Sequence, residues 1–481
     1  MTSTFHGIEI GKRAIFASST ALSVTGHNIA NANTEGYTRQ KAITEASNPL
    51  TYPGMNSGKG PYQLGTGVDT KEITRIRDSF LDGQFRTQNE QLGYWSVKQD
   101  TLSKIEQTLN EPSENGLQAV FDRFWQSWED LSKEPDSLSA RAVVLSNGTA
   151  LADRFNQIAN SIDHLSQDLK NNISTKMTEM NNLAKQVSGL NTQIAKMVAS
   201  GQEPNDLMDK RDLMIDQLSK LADIEVKPAA GGMVDIFIGQ EYLVNGDQSS
   251  TLSFDSSNNQ PLLNGQNISL KSGELAGMVD SLTQDIPSYM AKINEMVTVF
   301  SSEVNSIHAG ANAMNLDDIK NRKIDPNAAL ERIPFFVSKN GSVPTTADDI
   351  MVNPLITASL NKIAAAQVAS AGDAQNANQL NDLKFKVLSF SNQSTTLNQF
   401  YRTLAGEIGI KTQEALQMEN NADMLVQQAD NRRQSVSGVS IDEEMTNMVR
   451  FQQSYNAASR YISVMDEVLD KLINGTGRVG V

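Results

Sequence analysis

The sequence predicts a mainly α chain with a β-rich inserted domain, elongated and nested, in which a terminal helical coiled coil adjoins a helical bundle. Three observations predict it. Prolines are confined between Pro49 and Pro354, so both ends lack the residue that most strongly breaks helices. Apolar residues recur every seven positions at both ends, the spacing that keeps one stripe against a partner helix. Composition changes at Lys227-Pro228-Ala229-Ala230-Gly231-Gly232, where helical periodicity gives way to short strand patterns.

The first column, Ile8, Ile15, Leu22 and Ile29, predicts one helix over 5–31. Apolar residues at helical spacing, with little Gly or Pro between them, predict further helices over 76–110, 117–132, 137–200 and 204–222. Val234-Asp235-Ile236-Phe237-Ile238 and Tyr242-Leu243-Val244-Asn245 read as strands, and short strands continue to Leu270. Helical spacing returns over 275–309. A Pro- and Asp-rich stretch, 311–356, containing Pro334-Phe335-Phe336-Val337, reads as a second small insertion. Residues 380–434 carry a long amphipathic pattern through Leu383, Val387, Phe390 and Leu397.

At the far end Ile441, Met448, Tyr455, Ile462 and Leu469 form one column. Phe451, Ala458, Met465 and Leu472 form a second, which Glu444 alone interrupts. Ser440 and Glu443 fit a capping box, and Asp442, Glu443 and Glu444 place negative charge at the positive end of the helix dipole. The expected domains are therefore nested: a terminal coiled-coil assembly domain of 1–48 and 438–481; a long-helix bundle of 49–226 with 275–310 and 357–437; a β-rich outer domain of 227–274; and a small unit at 311–356.

Composition excludes several classes of function. A net charge of −15 opposes sequence-independent nucleic-acid binding, which depends on Lys and Arg neutralising phosphates. Without cysteine there are no disulfides, thiolate nucleophiles or cysteine metal sites. No window reaches the roughly 20 apolar residues of a membrane span, and Met1–Lys12 lacks the pattern of a Sec signal, so an exported chain would need another route. His6, His27, His164 and His308 are scattered, without metal-ligand spacing. Gly58-Lys59-Gly60 fails the spacing of a phosphate loop, and Asp348-Asp349 reads as a helix start, not as paired catalytic acids. No enzyme activity, cofactor or metal is expected.

The terminal stripes carry too few apolar anchors to offset the conformational entropy of ordering both ends by themselves. They are expected to pack between subunits, leaving the ends of an isolated monomer mobile. Tyr455 and Gln452 read equally as core filling or as contacts that set register.

Asn28-Ile29-Ala30-Asn31-Ala32-Asn33-Thr34-Glu35-Gly36-Tyr37-Thr38-Arg39-Gln40 resembles the N-terminal motif of bacterial flagellar rod, hook and hook-associated proteins. In this motif Asn31 and Asn33 can bond the carbonyls at a helix end, Gly36 allows a positive φ, and Tyr37 can anchor the exit strand. Arg39-Gln40, Gly65-Thr66-Gly67-Val68, the segment from Arg75 to Asp82, Pro204 to Asp212, Tyr242 to Gly246, and Gly438 to Arg460 together resemble the family of flagellar hook-associated protein 1.

The resemblance spans nearly the whole chain. It departs at His27, where the family commonly has Asn, and at Ala313 to Asp318, which follows an Asp-Leu-Asn-Gly segment only loosely. It implies a non-enzymatic structural subunit secreted by type III export. Such a subunit forms a ring-like or helical layer with its own copies between hook and filament. Its implied partners are the hook protein, the next hook-associated junction protein and an export chaperone. The competing assignments are a hook, distal rod or filament-type subunit, and a cell-wall hydrolase carried on axial termini.

Overall fold

The structure, a computed structural model, describes residues 5–49, 64–109, 113, 116–391 and 393–475. The Gly54–Gly60 loop lies outside them. In chain order the elements are α1 (His6–Ala30), β1 (Gln40–Ala46), β2 (Val68–Arg75), α2 (Ser79–Leu109), α3 (Leu117–Lys133), α4 (Leu138–Ala199) and α5 (Asn205–Leu221). Seven short strands follow: β3 (Ile224–Pro228), β4 (Val234–Ile238), β5 (Glu241–Asn245), β6 (Gln248–Ser249), β7 (Leu252–Asp255), β8 (Gln260–Leu263) and β9 (Gln266–Asn267). The chain then forms α6 (Gly273–Asp280), α7 (Ile286–His308), α8 (Leu316–Ile324), β10 (Phe336–Ser338), β11 (Ile350–Val352), α9 (Pro354–Ala358), α10 (Gln375–Asp382), β12 (Leu388–Phe390) and β13 (Gln393–Thr395). It ends with α11 (Leu397–Ser437) and α12 (Ile441–Asp470).

The fold is mainly helical with several small antiparallel sheets, as expected. α1 pairs with α12, and α2 pairs with α11, so the first and last helices of each layer meet although they lie hundreds of residues apart. Caps set the helix starts: Ser137, Thr396 and Ser440 accept backbone N–H bonds in the first turns of α4, α11 and α12, while Asn315 and Asp318 form a full capping box on α8.

The bundle core is aromatic. α3 buries Phe121, Phe124, Trp125 and Trp128 on one face, against Phe155 of α4, Phe300 of α7, Phe335 and Phe336. Phe335 and Phe336 belong to the 311–356 stretch expected as a separate unit. Ile333, Ala347, Ile350 and Val352 of that stretch join the same core, and Met314 and Ile319 form a small cluster with Ala366.

The sheets β3-β4-β5-β6 and β7-β8-β9 lie against α4. Two helical asparagines fasten them. Asn191 Nδ2 donates to the Val234 and Gly246 carbonyls, both at 2.7 Å, and Asn181 exchanges two 2.8 Å bonds with the Leu252 backbone. These bonds satisfy backbone groups that the short strands leave unpaired.

The 380–396 stretch does not continue the amphipathic helix expected there. Leu383, Phe390 and Leu397 are buried, but Val387 is 63% exposed. β12 and β13 form a hairpin that stacks Phe390 on Phe400 at 4.0 Å between ring centroids. Apolar spacing alone does not distinguish a helix from a hairpin that folds back on the next helix.

Candidate assembly site: the terminal helix pair and its joint

α1 faces α12 with small residues. Gly7, Gly11, Ala17, Ala21, Val24, Thr25 and Asn28 are its buried positions. A Cβ at Gly7 would stand 2.2 Å from Met465 Cε, and one at Gly11 would stand 2.4 Å from Ile462 Cγ1, so the two helices approach as closely as glycine allows. The column Ile8, Ile15, Leu22 and Ile29, expected on this line, is only half-buried and flanks it. This corrects the phase of the seam: large side chains on the line of closest approach would hold the backbones apart, whereas beside it they can lie along the partner.

On α12, Ala458 and Leu469 are buried, and Met448, Phe451, Ile462 and Met465 are half-buried. Ile441, Tyr455 and Leu472, expected in the same stripes, are 51%, 38% and 47% exposed. A further apolar series, Met445, Val449, Tyr461, Val464 and Val468, is also exposed, as is Phe16 on α1. Pairing with α1 thus leaves much of the apolar surface of α12 uncovered.

Asn28 organises the end of α1. Its Oδ1 accepts from Tyr37 Oη–H at 2.8 Å and from the Gln40 N–H at 3.0 Å, and its Nδ2 donates to the Gln40 carbonyl at 2.9 Å and to Glu444 Oε2 at 3.1 Å. Asn31 Nδ2 donates to the His27 carbonyl at 3.0 Å, the helix-end bond expected of it. Asn33 is exposed and makes no side-chain hydrogen bond among the described residues. Gly36 takes φ +77° close beside Leu213. Tyr37 meets His27 edge to face, and burial, with Asp206, Asp209 and Glu444 nearby, raises its phenol pKa.

Beneath this loop, α5 presents an acidic stripe at Asp206, Asp209, Asp212 and Asp216. Asp206 accepts from Gln40 Nε2 at 2.8 Å and from His27, and Asp209 accepts the Thr38 N–H at 2.9 Å. Arg75 bridges Asp209 and Asp212, both at 2.8 Å. Arg77 joins Asp82 at 2.6 Å and Asp212 at 3.3 Å. Arg86 and Arg433 both pair with Asp216, and Arg433 also lies over the Phe85 ring. Burial favours the neutral form of Asp212, but Arg77, Arg75 and Arg86 outweigh it and hold its pKa below the usual carboxylate value. A cleft of about 880 Å³ opens beside the joint, lined by Tyr37, Phe85, Leu213, Val426 and Val439 among others.

Sequence reasoning passed over most of this joint. The signal was present in the i, i+3, i+6 and i+10 spacing of four aspartates on α5, opposite arginines at alternate positions 75 and 77. Glu444, read as a break in a stripe, is 2% exposed and pairs with Arg39 at 2.7 Å. Arg39 also reaches Glu443 at 2.7 Å, and its N–H donates to the Ser437 carbonyl at 2.9 Å, tying the two chain crossings together.

Elsewhere, Asp349 is occupied by the Lys339 N–H, and His308 is buried with both ring nitrogens bonded. Among the described residues, no group of three or more His, Asp or Glu side chains could hold a metal, and no helix is long and apolar enough to cross a membrane.

Known proteins place this geometry. Residues 102–320 match the flagellar hook-associated protein FlgK helical domain, 431–475 the flagellar basal body rod FlgEFG protein C-terminal, and 8–38 the flagella basal body rod protein family. The flagellar hook-associated protein 1 of Bacillus subtilis is 35% identical over 99% of both chains. Those of Escherichia coli and Salmonella typhimurium are 26% and 23% identical, each over 95% of this chain and 97% of the relative. The solved flagellar hook junction protein FlgK from Burkholderia pseudomallei shares the fold, with a TM-score of 0.64 at 16% identity, and covers 74% of this chain and 100% of its own. With a full-length relative at 35% identity and the matching helical domain, the chain belongs to the flagellar hook-associated protein 1 family, the hook-associated junction proteins of the flagellar axial structure.

Proposed function

We propose that this chain is a structural adaptor, without enzymatic activity, that forms the layer between hook and filament and assembles through its paired terminal helices. The observation that carries the reading is the apolar surface of α12 left exposed after pairing with α1, chiefly Met445, Val449, Tyr461, Val464 and Val468. Tyr461, Val464 and Val468, at i, i+3 and i+7, share one face of α12, and exposed apolar surface of this kind on a polar chain marks an interaction site.

The assembly surface comprises Ile8, Ile15, Leu22 and Ile29 on one helix and Ile441, Met448, Phe451, Tyr455, Ala458, Ile462, Met465, Leu469 and Leu472 on the other. The loop of Asn31, Asn33, Gly36 and Tyr37 sets their direction. Copies of the chain form a ring-like or helical layer, with the hook protein below and the next hook-associated junction protein above. An export chaperone covers the terminal surface before secretion. The segments 1–48 and 438–481 act as the assembly domain, carried by the bundle, and 227–274 faces outward.

Deletion of the gene in its host tests this directly. Hooks without filaments and monomeric filament protein in the medium are expected; filaments of normal length on hooks lacking this protein would defeat the reading.

A further inference from the structure

The α1 seam is repetitive. Gly7, Gly11, Ala14, Ser18, Ala21 and Thr25 recur four and three apart on α1, all small, and α12 repeats Met448, Phe451, Tyr455, Ala458, Ile462, Met465 and Leu469 at the same spacing. Such a pair can slide by one heptad and still find small residues under large ones, so apolar packing alone specifies its register weakly. The one charged position in the α12 series is Glu444, whose two oxygens are used by Asn28 of α1 and Arg39 of the exit strand. Leucine or methionine there would complete the stripe and remove the cost of burying a carboxylate.

We propose that Glu444 is the residue that sets the register and direction of the terminal helix pair, stability being given up for a single alignment. A lone buried polar group in an apolar heptad series acts in this way in coiled coils. A heptad shift carries the carboxylate away from Asn28 and Arg39, so both of its charge-assisted hydrogen bonds are lost. The native alignment is therefore preferred by roughly ten-fold or more over its heptad-shifted neighbours. This inference rests on the reading that the terminal pair is an assembly surface, because a pair of mixed register would offer neighbours a mismatched stripe.

The chain has no cysteine, so register can be read by introduced disulfides in the purified full-length protein. Gly11→Cys with Ile462→Cys reports the native alignment, because the Gly11 Cβ position lies 2.4 Å from Ile462 Cγ1. Gly11→Cys with Tyr455→Cys or with Leu469→Cys, each carrying Ile462→Ala to remove the atoms that the added Cβ would meet, reports a one-heptad shift. With Glu444 present, the native pair should cross-link about ten-fold faster than the shifted pairs, and Glu444→Leu should bring the three rates to within about three-fold while helical content is kept. Glu444→Gln, which retains the shape and some hydrogen bonding, should fall between them. A native preference as strong as in the parent in either variant overturns the proposal.

Exported Glu444→Leu protein should also fail to restore filaments to the deletion strain. The cross-linking result does not depend on the junction reading. Normal filaments in the deletion strain would defeat that reading while leaving the register measurement intact.

Discussion

Alanine at Gly11 and alanine at Gly26 are the same chemical change on one helix, and the structure predicts opposite outcomes. Relieved of glycine's backbone entropy, either position should favour the helix by about 1 kcal/mol. At Gly26 nothing lies within 4 Å of the added Cβ, so that gain stands alone. At Gly11 the Cβ would sit 2.4 Å from Ile462 Cγ1, a contact that forces the helices apart. Ile462 is β-branched and stiff at χ1, so it cannot turn away cheaply.

Overpacking of this kind costs roughly 1–3 kcal/mol, so Gly11→Ala should lower the stability of the pair by about 1 kcal/mol net, while Gly26→Ala raises it by a similar amount. Gly7→Ala should fall between them, because the obstructing atoms belong to the flexible end of Met465. Hydrogen exchange of α1 and α12 amides in the full-length protein reads the difference, at about five-fold in protection per kcal/mol. Equal slowing of exchange by Gly11→Ala and Gly26→Ala would refute the close glycine seam.

Three other perturbations probe the body and the joint. His308 is neutral in the fold, its Nε2 accepting the Ala364 N–H, and burial lowers its pKa to about 4, whereas the unfolded chain takes up the proton below about pH 6.5. Its contribution, about 3 kcal/mol, is therefore full above pH 6.5 and lost as pH falls towards 4, so His308→Gln should flatten the acid limb of a stability–pH curve measured by circular dichroism. Trp128→Ala removes a fully buried ring from the aromatic core and should cost about 3–5 kcal/mol, seen as a lowered midpoint in guanidinium unfolding; a cost below 1 kcal/mol would contradict the core assignment. Asp209→Ala strands the Thr38 N–H and one side of Arg75, so it should cost about 3 kcal/mol locally, with faster proteolysis in the 32–39 loop while the bundle transition stays in place.

Long helices were legible wherever periodicity, caps and the absence of proline agreed. The expectation of 137–200 falls within a residue of Leu138–Ala199, and 204–222 within a residue of Asn205–Leu221. The phase of the terminal seam was not legible, because a search for large apolar residues finds Ile8, Ile15, Leu22 and Ile29 and passes over the glycines that form the contact. The hairpin at 388–395 was missed because Leu383, Phe390 and Leu397 satisfy a helical spacing that the backbone does not adopt.

The joint escaped for another reason. Asn28, Arg39, Asp209 and Glu444 are polar residues scattered over the whole chain, and only the fold brings them together. Asn33 shows the converse, since a residue suited to capping by type stays exposed while Asn31 takes the His27 carbonyl.

The central claim is that the uncovered face of α12 is buried by neighbouring subunits in the flagellum. Val464→Cys, on that face and 55% exposed, gives a single reactive thiol in an otherwise cysteine-free chain. Maleimide should label it readily in the purified monomer and scarcely at all in isolated hook–filament junctions, with Leu138→Cys on the bundle surface labelled in both. Equal labelling of Val464→Cys in monomer and junction would contradict the account.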